Sequence, residues 1–206
     1  MLNNKLKADD EFDLDDLDLS PNKGKAVVRQ TILKEHTYYL EGELESIEQF
    51  RPLFSLLKSA TDQDTILIYI NSNGGSVAVG EAIVSAIKEA VTNEIVVKAA
   101  IGFECASMAT AVALACSDVV VYDYSTFLVH PFSGGEFGYA KHVQKSAEFY
   151  AKQSEKMLRR HYTGFLSETE LVDLINSPKD LLFDSNEIAK RFKASKRVKK
   201  SSPKKK

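Results

Sequence analysis

An α/β fold with a mainly parallel sheet is the class this sequence predicts, and three observations predict it. Short apolar strand patterns at residues 65–70, 95–100 and 119–122 alternate with helical patterns at 77–91 and in the small-residue run 109–115. The segment 65–70 is almost continuously apolar, as in a strand covered on both faces. Strand, helix, strand, helix, strand in that order implies βαβ crossovers, which lay parallel strands side by side beneath helices.

Taken in order, residues 1–24 mix acids with Leu14, Leu17 and Leu19 and end at Ser20-Pro21-Asn22-Lys23-Gly24, a loop signal. They read as an acidic, disordered extension. Residues 26–33 and 37–40 are rich in β-branched and aromatic side chains and read as two short strands. A helix follows over 46–60, with Ile47, Phe50, Leu53, Phe54, Leu56 and Leu57 on one broad face and Pro52 in its first turn or at a kink. Gly74-Gly75 breaks the strand at 65–70, and Val79, Ile83, Ala86, Ile87 and Val91 give the next helix its apolar stripe.

The loop 133–138 precedes a long helix over 139–162, roughly 36 Å at 1.5 Å per residue. Val143, Ala147, Tyr150, Ser154 and Met157 step along it by four and three, a narrow seam like that of a coiled coil. Such a seam suits a helix packed against a second protruding helix in an oligomer, and equally one lying along its own domain. Thr163-Gly164 ends this helix, Ser167-Glu168-Thr169-Glu170 opens another with a capping-box pattern, and Asn176-Ser177-Pro178 closes it. A last helix spans 185–192. The domain is therefore placed at 25–192, with 193–206 as a basic, disordered tail.

Composition narrows the function classes. A chain of 206 residues buries a core large enough to need no disulfide or metal. Cys105 and Cys116 lack CxxC or Cys/His ligand spacing and read as small buried residues in a reducing compartment, so no metal and no cofactor is expected. No stretch reaches the roughly 20 apolar residues of a membrane span, and the first thirty residues lack the apolar core of a secretory signal, so a cytoplasmic protein without membrane contact is expected. The net charge of −2 conceals an asymmetry: residues 1–20 hold seven acids against Lys5 and Lys7, and residues 190–206 hold ten Lys or Arg and no acid. A basic run can touch nucleic acid, but it is more often a solvated terminus, and nucleic acid is disfavoured as a partner.

The chemistry-bearing stretch is Glu104-Cys105-Ala106-Ser107-Met108-Ala109-Thr110. A serine at a strand-to-helix turn has its hydroxyl near the first free N–H groups of the helix, where developing negative charge is favoured. The plain alternative is an N-cap. Two neighbours favour chemistry: Phe127-Leu128-Val129-His130-Pro131 sets a histidine at the end of an apolar run, and Asn71-Ser72-Asn73-Gly74-Gly75-Ser76 sets a glycine pair between strand and helix.

Together with Asp180-Leu181-Leu182-Phe183, these motifs resemble the proteolytic subunits of Clp-type ATP-dependent proteases, the ClpP family, over residues 37–192. The resemblance implies a ClpP/crotonase-like repeated βαβ superhelix with a protruding handle helix at 139–162. It implies a homo-oligomer of stacked heptameric rings that encloses a chamber and hydrolyses polypeptide substrates fed by a Clp-type ring ATPase. It maps Ser107 to the nucleophile, His130 to the general base, Asp180 to the carboxylate that orients it, and the backbone amides of Gly75 and Met108 to the oxyanion hole. By spacing alone Asp173 and Asp184 compete with Asp180, Cys105 competes with Ser107, and His130 also suits a structural role. His36, His142 and His161 read as surface or packing residues.

The chain departs from the family pattern at several positions. Asn73 stands where proline is usual, Ala109 where glycine is usual, Phe132 follows Pro131 where the order His-Gln-Pro is usual, and Leu67 replaces an aromatic beside Tyr69. Gly102-Phe103-Glu104-Cys105-Ala106-Ser107-Met108 holds one residue more than the family's Gly-Gln-Ala-Ala-Ser-Met. The rival readings are a catalytically silent ring subunit, in which that residue misaligns the triad, and a crotonase-like acyl-CoA enzyme, which does not need serine, histidine and aspartate together.

Overall fold

The computed structural model describes residues 34–134, 137–177 and 179–201, with side chains to residue 196. The acidic extension and the strand expected at 26–33 lie outside the described residues. The mainly parallel sheet is present. Six strands run in the order β1-β2-β3-β5-β6, with β4 also paired to β3.

β1 (Lys34–Leu44) and β2 (Asp64–Gly75) are parallel, with Leu40 beside Ile70. Between them a 3-10 turn at Glu48–Phe50 leads into α1 (Arg51–Ser59), and Pro52 occupies its first turn, where a missing N–H costs nothing. β2 buries alternate residues, Ile66, Ile68, Ile70 and Ser72, on one face. The glycine pair does not end it: Gly74 and Gly75 still pair with Glu43 and Leu44, after a bulge in which β2 advances three residues from Asn71 while β1 advances two from Glu41. α2 (Val77–Thr92), capped by the Ser76 side chain, buries Val79, Ile83, Val84 and Ile87 and returns the chain to β3 (Val96–Ala106), parallel to β2.

β3 is longer than its apolar pattern suggested, and it divides its second edge between two partners. Lys98–Ile101 pairs with β4 (Asp118–Val121), and Glu104–Ala106 pairs with β5 (Thr126–Val129), both in parallel. Between β3 and β4 lies α3 (Met108–Ala115), every residue of which is buried. Its alanines let it approach neighbouring elements on all sides, as a helix that is apolar all round must.

α4 (Ala140–Tyr162) is 23 residues long and buries only Leu158, His161 and Tyr162. Of its seam, Ala147 and Tyr150 are exposed and Val143, Ser154 and Met157 half-buried, so the seam does not lie sealed against its own domain. α5 (Glu168–Asn176) has the expected capping box, Ser167 and Glu170 each bonding the other's backbone N–H. β6 (Leu181–Phe183) adds antiparallel to β5, and α6 follows at Ser185–Ser201. The helix expected to stop at Phe192 therefore takes in residues 193–201 of the expected tail, correcting that boundary. Ser195 is buried with its hydroxyl on the Phe192 carbonyl, and the Lys196 ammonium bonds the Cys116 carbonyl and lies 4.7 Å over the Phe192 ring. Arg191 ties α6 to α5 through two 2.8 Å bonds to Glu170, and it also bonds Glu187 and the Phe165 carbonyl.

Candidate active site

Ser107 stands at the junction of β3 and α3 with φ 54° and ψ −129°. Among the described residues the other non-glycine at positive φ is Glu94, in the turn that ends α2, where left-handed backbone is ordinary. Ser107 lies in a region that L-residues seldom occupy, at a cost of roughly 1–3 kcal/mol, and such strain collects at functional turns. Local bonds hold it there. Its N–H donates to the Leu128 carbonyl at 2.8 Å, and its own carbonyl accepts from the Thr110 N–H at 3.0 Å and the Thr110 hydroxyl at 2.6 Å. Its hydroxyl makes no hydrogen bond with a described residue, so the side chain is not spent as an N-cap.

The glycine pair packs around this turn. A Cβ on Gly74 would meet the Ser107 Cβ at 2.6 Å, the Ala106 carbonyl at 2.8 Å and the Met108 nitrogen at 3.0 Å. Only a glycine permits that approach, and at φ 92° only a glycine adopts the backbone without strain. Gly75, at φ 141°, instead abuts the backbone of Leu44. Gly74 is thus the glycine in contact with the Ser107 turn, a role the sequence did not distinguish from that of its neighbour. Met108 begins α3, where helix N–H groups lack intrahelical acceptors, and its side chain packs against Gly80 of α2.

The additional residue before Ser107 is absorbed before it reaches the turn. Ile70 pairs with Ile101 and Ser72 with Cys105, so β3 advances four residues while β2 advances two. The surplus bulges out at Gly102-Phe103-Glu104, with Phe103 66% exposed. The Asn71 side chain accepts from the Glu104 N–H at 3.1 Å and the Thr126 hydroxyl donates to the Phe103 carbonyl at 2.5 Å, which pins the bulge on both sides.

His130 follows the last residue of β5 and is half-buried. Its Nδ1 lies 2.7 Å from the Pro131 carbonyl oxygen. A carbonyl only accepts, so Nδ1 carries a proton, and in the neutral ring this selects the tautomer whose Nε2 lone pair can take a proton from a hydroxyl. Val129 pairs with Leu181 as the last pair of the antiparallel β5–β6 ladder, so His130, which follows β5, and Asp180, which precedes β6, leave the ladder at the same end. Ser107, His130 and Asp180 therefore stand at the ends of three neighbouring strands, β3, β5 and β6. Among the described residues no hydrogen bond joins any two of them, and Asp180 is exposed with no bonded partner.

The rival candidates are occupied elsewhere. The Asp184 carboxylate accepts from the Glu187 N–H at 2.9 Å and caps α6. Asp173 lies exposed on α5. Cys105 is fully buried, and desolvation, with smaller contributions from Cys116 and Glu104, pushes its thiol well above the usual range; burial pushes Cys116 up to about 12. Neither is a thiolate nucleophile. His161 is a packing residue, as read from the sequence, but a buried one: its ring bonds the Glu81 carboxylate of α2, and burial pushes its pKa down against the pull of Glu81. No group of three or more His, Cys, Asp or Glu able to hold a metal occurs among the described residues, and no described helix is long and apolar enough to cross a membrane.

No curated protein matches the chain. A family model, described as Clp protease, matches residues 23–176, which takes in the glycine pair, Ser107 and His130 and ends before Asp180. The mixed α/β fold with its six-stranded sheet is in keeping with that family. With more than half of its length matched, the chain belongs to the Clp protease family.

Proposed function

We propose that this chain is a serine endopeptidase subunit in which Ser107 is the nucleophile, His130 the general base and Asp180 the orienting carboxylate. The observation that carries the reading is the backbone of Ser107: a non-glycine held at φ 54° between a strand and a buried helix, with a glycine packed on it and its hydroxyl unspent. The Ser107 oxygen attacks the peptide carbonyl carbon as His130 Nε2 takes the hydroxyl proton. The amides of Gly75 and Met108 face the oxyanion, and His130 passes the proton to the leaving amine as the C–N bond breaks. Water then attacks the ester, giving a proton to His130, which returns it to Ser107. For a full triad the Nδ1 proton of His130 transfers its hydrogen bond from the Pro131 carbonyl to Asp180, whose negative charge stabilises the imidazolium better than a neutral carbonyl does.

Membership of the Clp protease family supports polypeptide substrates, a ring assembly and delivery by a Clp-type ring ATPase in the cytoplasm. The exposed seam of α4 suits a handle between rings: Phe149 and Tyr150 are both more than half exposed on a helix anchored by its last turn. Selection among substrates then falls to the ATPase, and the chamber cleaves broadly.

The test is intact-mass detection of a fluorophosphonate adduct on the wild-type protein and on Ser107→Ala, with assembly followed by light scattering. One adduct on wild type, absent from the variant, is expected. An assembled wild-type ring that takes up no adduct would sink the catalytic reading and leave a scaffold subunit.

A further inference from the structure

We propose that Thr110 and Tyr162 are positioning residues whose two buried hydroxyls, linked in series, hold the carbonyl of Ser107 and with it the strained conformation that presents the nucleophile. The inference rests on the assignment of Ser107 as nucleophile and deepens it.

The geometry fixes the direction of the chain of bonds. The Thr110 hydroxyl lies 2.6 Å from the Ser107 carbonyl and 2.6 Å from the Tyr162 hydroxyl, while Tyr162 is 3.5 Å from that carbonyl. A carbonyl only accepts and each hydroxyl has one proton, so Thr110 donates to Ser107 and Tyr162 donates to Thr110. Thr110 is wholly buried and Tyr162 nearly so, which removes both hydroxyls from bulk solvent. Burial also keeps the phenol protonated, since it pushes the Tyr162 pKa up. The donor at the head of this chain is therefore always charged with its proton.

The chain spans elements that are distant in sequence. Tyr162 is the last residue of α4 and Thr110 lies in the first turn of α3. The same turn of α4 is secured to α2 through His161 and Glu81, with Arg160 3.3 Å from the other oxygen of that carboxylate. The tyrosine hydroxyl is thereby fixed from behind while the Leu128 carbonyl holds the Ser107 N–H from the other side. Ser107 is gripped at both its peptide groups, and its hydroxyl bonds no described residue.

The test uses Thr110→Val, which keeps the shape and removes the hydroxyl, Thr110→Ser, which keeps the hydroxyl, and Tyr162→Phe. The readouts are the second-order rate of fluorophosphonate labelling at Ser107, and kcat and KM on a short peptide. One to two lost hydrogen bonds in a low-dielectric site correspond to about a ten-fold lower labelling rate for Thr110→Val, with Tyr162→Phe in the same direction and smaller. The loss is expected in kcat with KM little changed, and Thr110→Ser is expected to restore the rate to within about three-fold. A Thr110→Val protein that labels at the wild-type rate, or a failure of Thr110→Ser to rescue, would overturn the proposal. Amide hydrogen exchange over residues 104–112 reads it independently of activity. Faster exchange there in Thr110→Val and Tyr162→Phe supports the grip even if wild type takes up no adduct, an outcome that removes only the catalytic reading. Unchanged exchange in both variants overturns the grip.

Discussion

The N–H of Ser107 donates to the carbonyl of Leu128 at 2.8 Å, and this one bond sets the ends of β3 and β5 level with each other. His130 lies two residues beyond the acceptor, just past the strand that flanks the Ser107 turn. The antiparallel pairing of Val129 with Leu181 then brings Asp180 to the same end of the sheet. Ser107, His130 and Asp180, the outer two 73 positions apart in sequence, come to one end of the sheet through strand register, with no hydrogen bond between any two of them among the described residues.

Gly74→Ala is expected to disrupt the turn. The new Cβ meets the Ser107 Cβ and the Ala106 carbonyl, neither of which is the movable end of a flexible side chain. Loss of roughly 2–4 kcal/mol of stability, from the clash and the positive φ together, is expected in urea unfolding, with adduct formation at Ser107 abolished. Full labelling with an unchanged midpoint would show that the glycine is dispensable.

Substitutions of the aspartates separate orientation from capping. Asp180→Asn is expected to lower kcat by about 10⁴-fold and to leave the unfolding midpoint in place, because the carboxylate is exposed and bonds no described residue. Asp184→Ala is expected to do the reverse, removing the α6 cap at a cost of about 1 kcal/mol with little change in kcat. If Asp180→Asn were as active as wild type, the Pro131 carbonyl alone would suffice to orient His130.

The clamp between α5 and α6 gives stability an acid dependence. The Arg191 guanidinium, helped by Ser167, holds the Glu170 carboxyl down to about 2 from an ordinary 4.5. The unfolded chain therefore binds this proton first as pH falls, and the contribution is complete above about 4.5 and lost as pH drops towards 2. The carboxylate is partly exposed, and after solvent screening about 2 kcal/mol is expected. In urea titrations between pH 2 and 6, the gap between wild type and Glu170→Gln should open with rising pH. A gap that stays constant over this range would assign the stability to something other than the charge.

The bulge before Ser107 is expected to tolerate change in its side chain but not in its anchor. Phe103→Ala alters an exposed ring and should shift stability by no more than about 0.5 kcal/mol. Asn71→Ala removes the acceptor for the Glu104 N–H, and should cost about 1 kcal/mol and slow adduct formation at Ser107. Equal effects from the two would indicate that the anchor does not hold the turn.

Alternating strands and helices, the Pro52 turn and the capping box at Ser167 were legible because each has a local chemical signature. The three candidate site residues were named from their match to a known pattern, and the fold brings them to one end of the sheet without a hydrogen bond between any two of them. The far reach of β2 and β3 was not legible, since the Gly74-Gly75 pair looks like a break, and each strand continues in register only past a bulge of its own, β2 after Asn71 and β3 after Ile101. Asp184 could not be told from Asp180 until its carboxylate was found on the Glu187 N–H. Thr110 and Tyr162 are 52 positions apart and carry no mutual signal, so their hydroxyl pair belongs wholly to tertiary structure.

A strand that trades one partner for another part-way along its length behaves as an expansion joint. At Gly102-Phe103-Glu104 the first half of β3 has finished with β4 and the second half has just begun with β5. Chain length gained or lost there changes a surface protrusion, while the stretch from Cys105 onward stays seated against Ser72 and Phe127. The position of the Ser107 hydroxyl is thus decoupled from the residue count of the strand that leads to it.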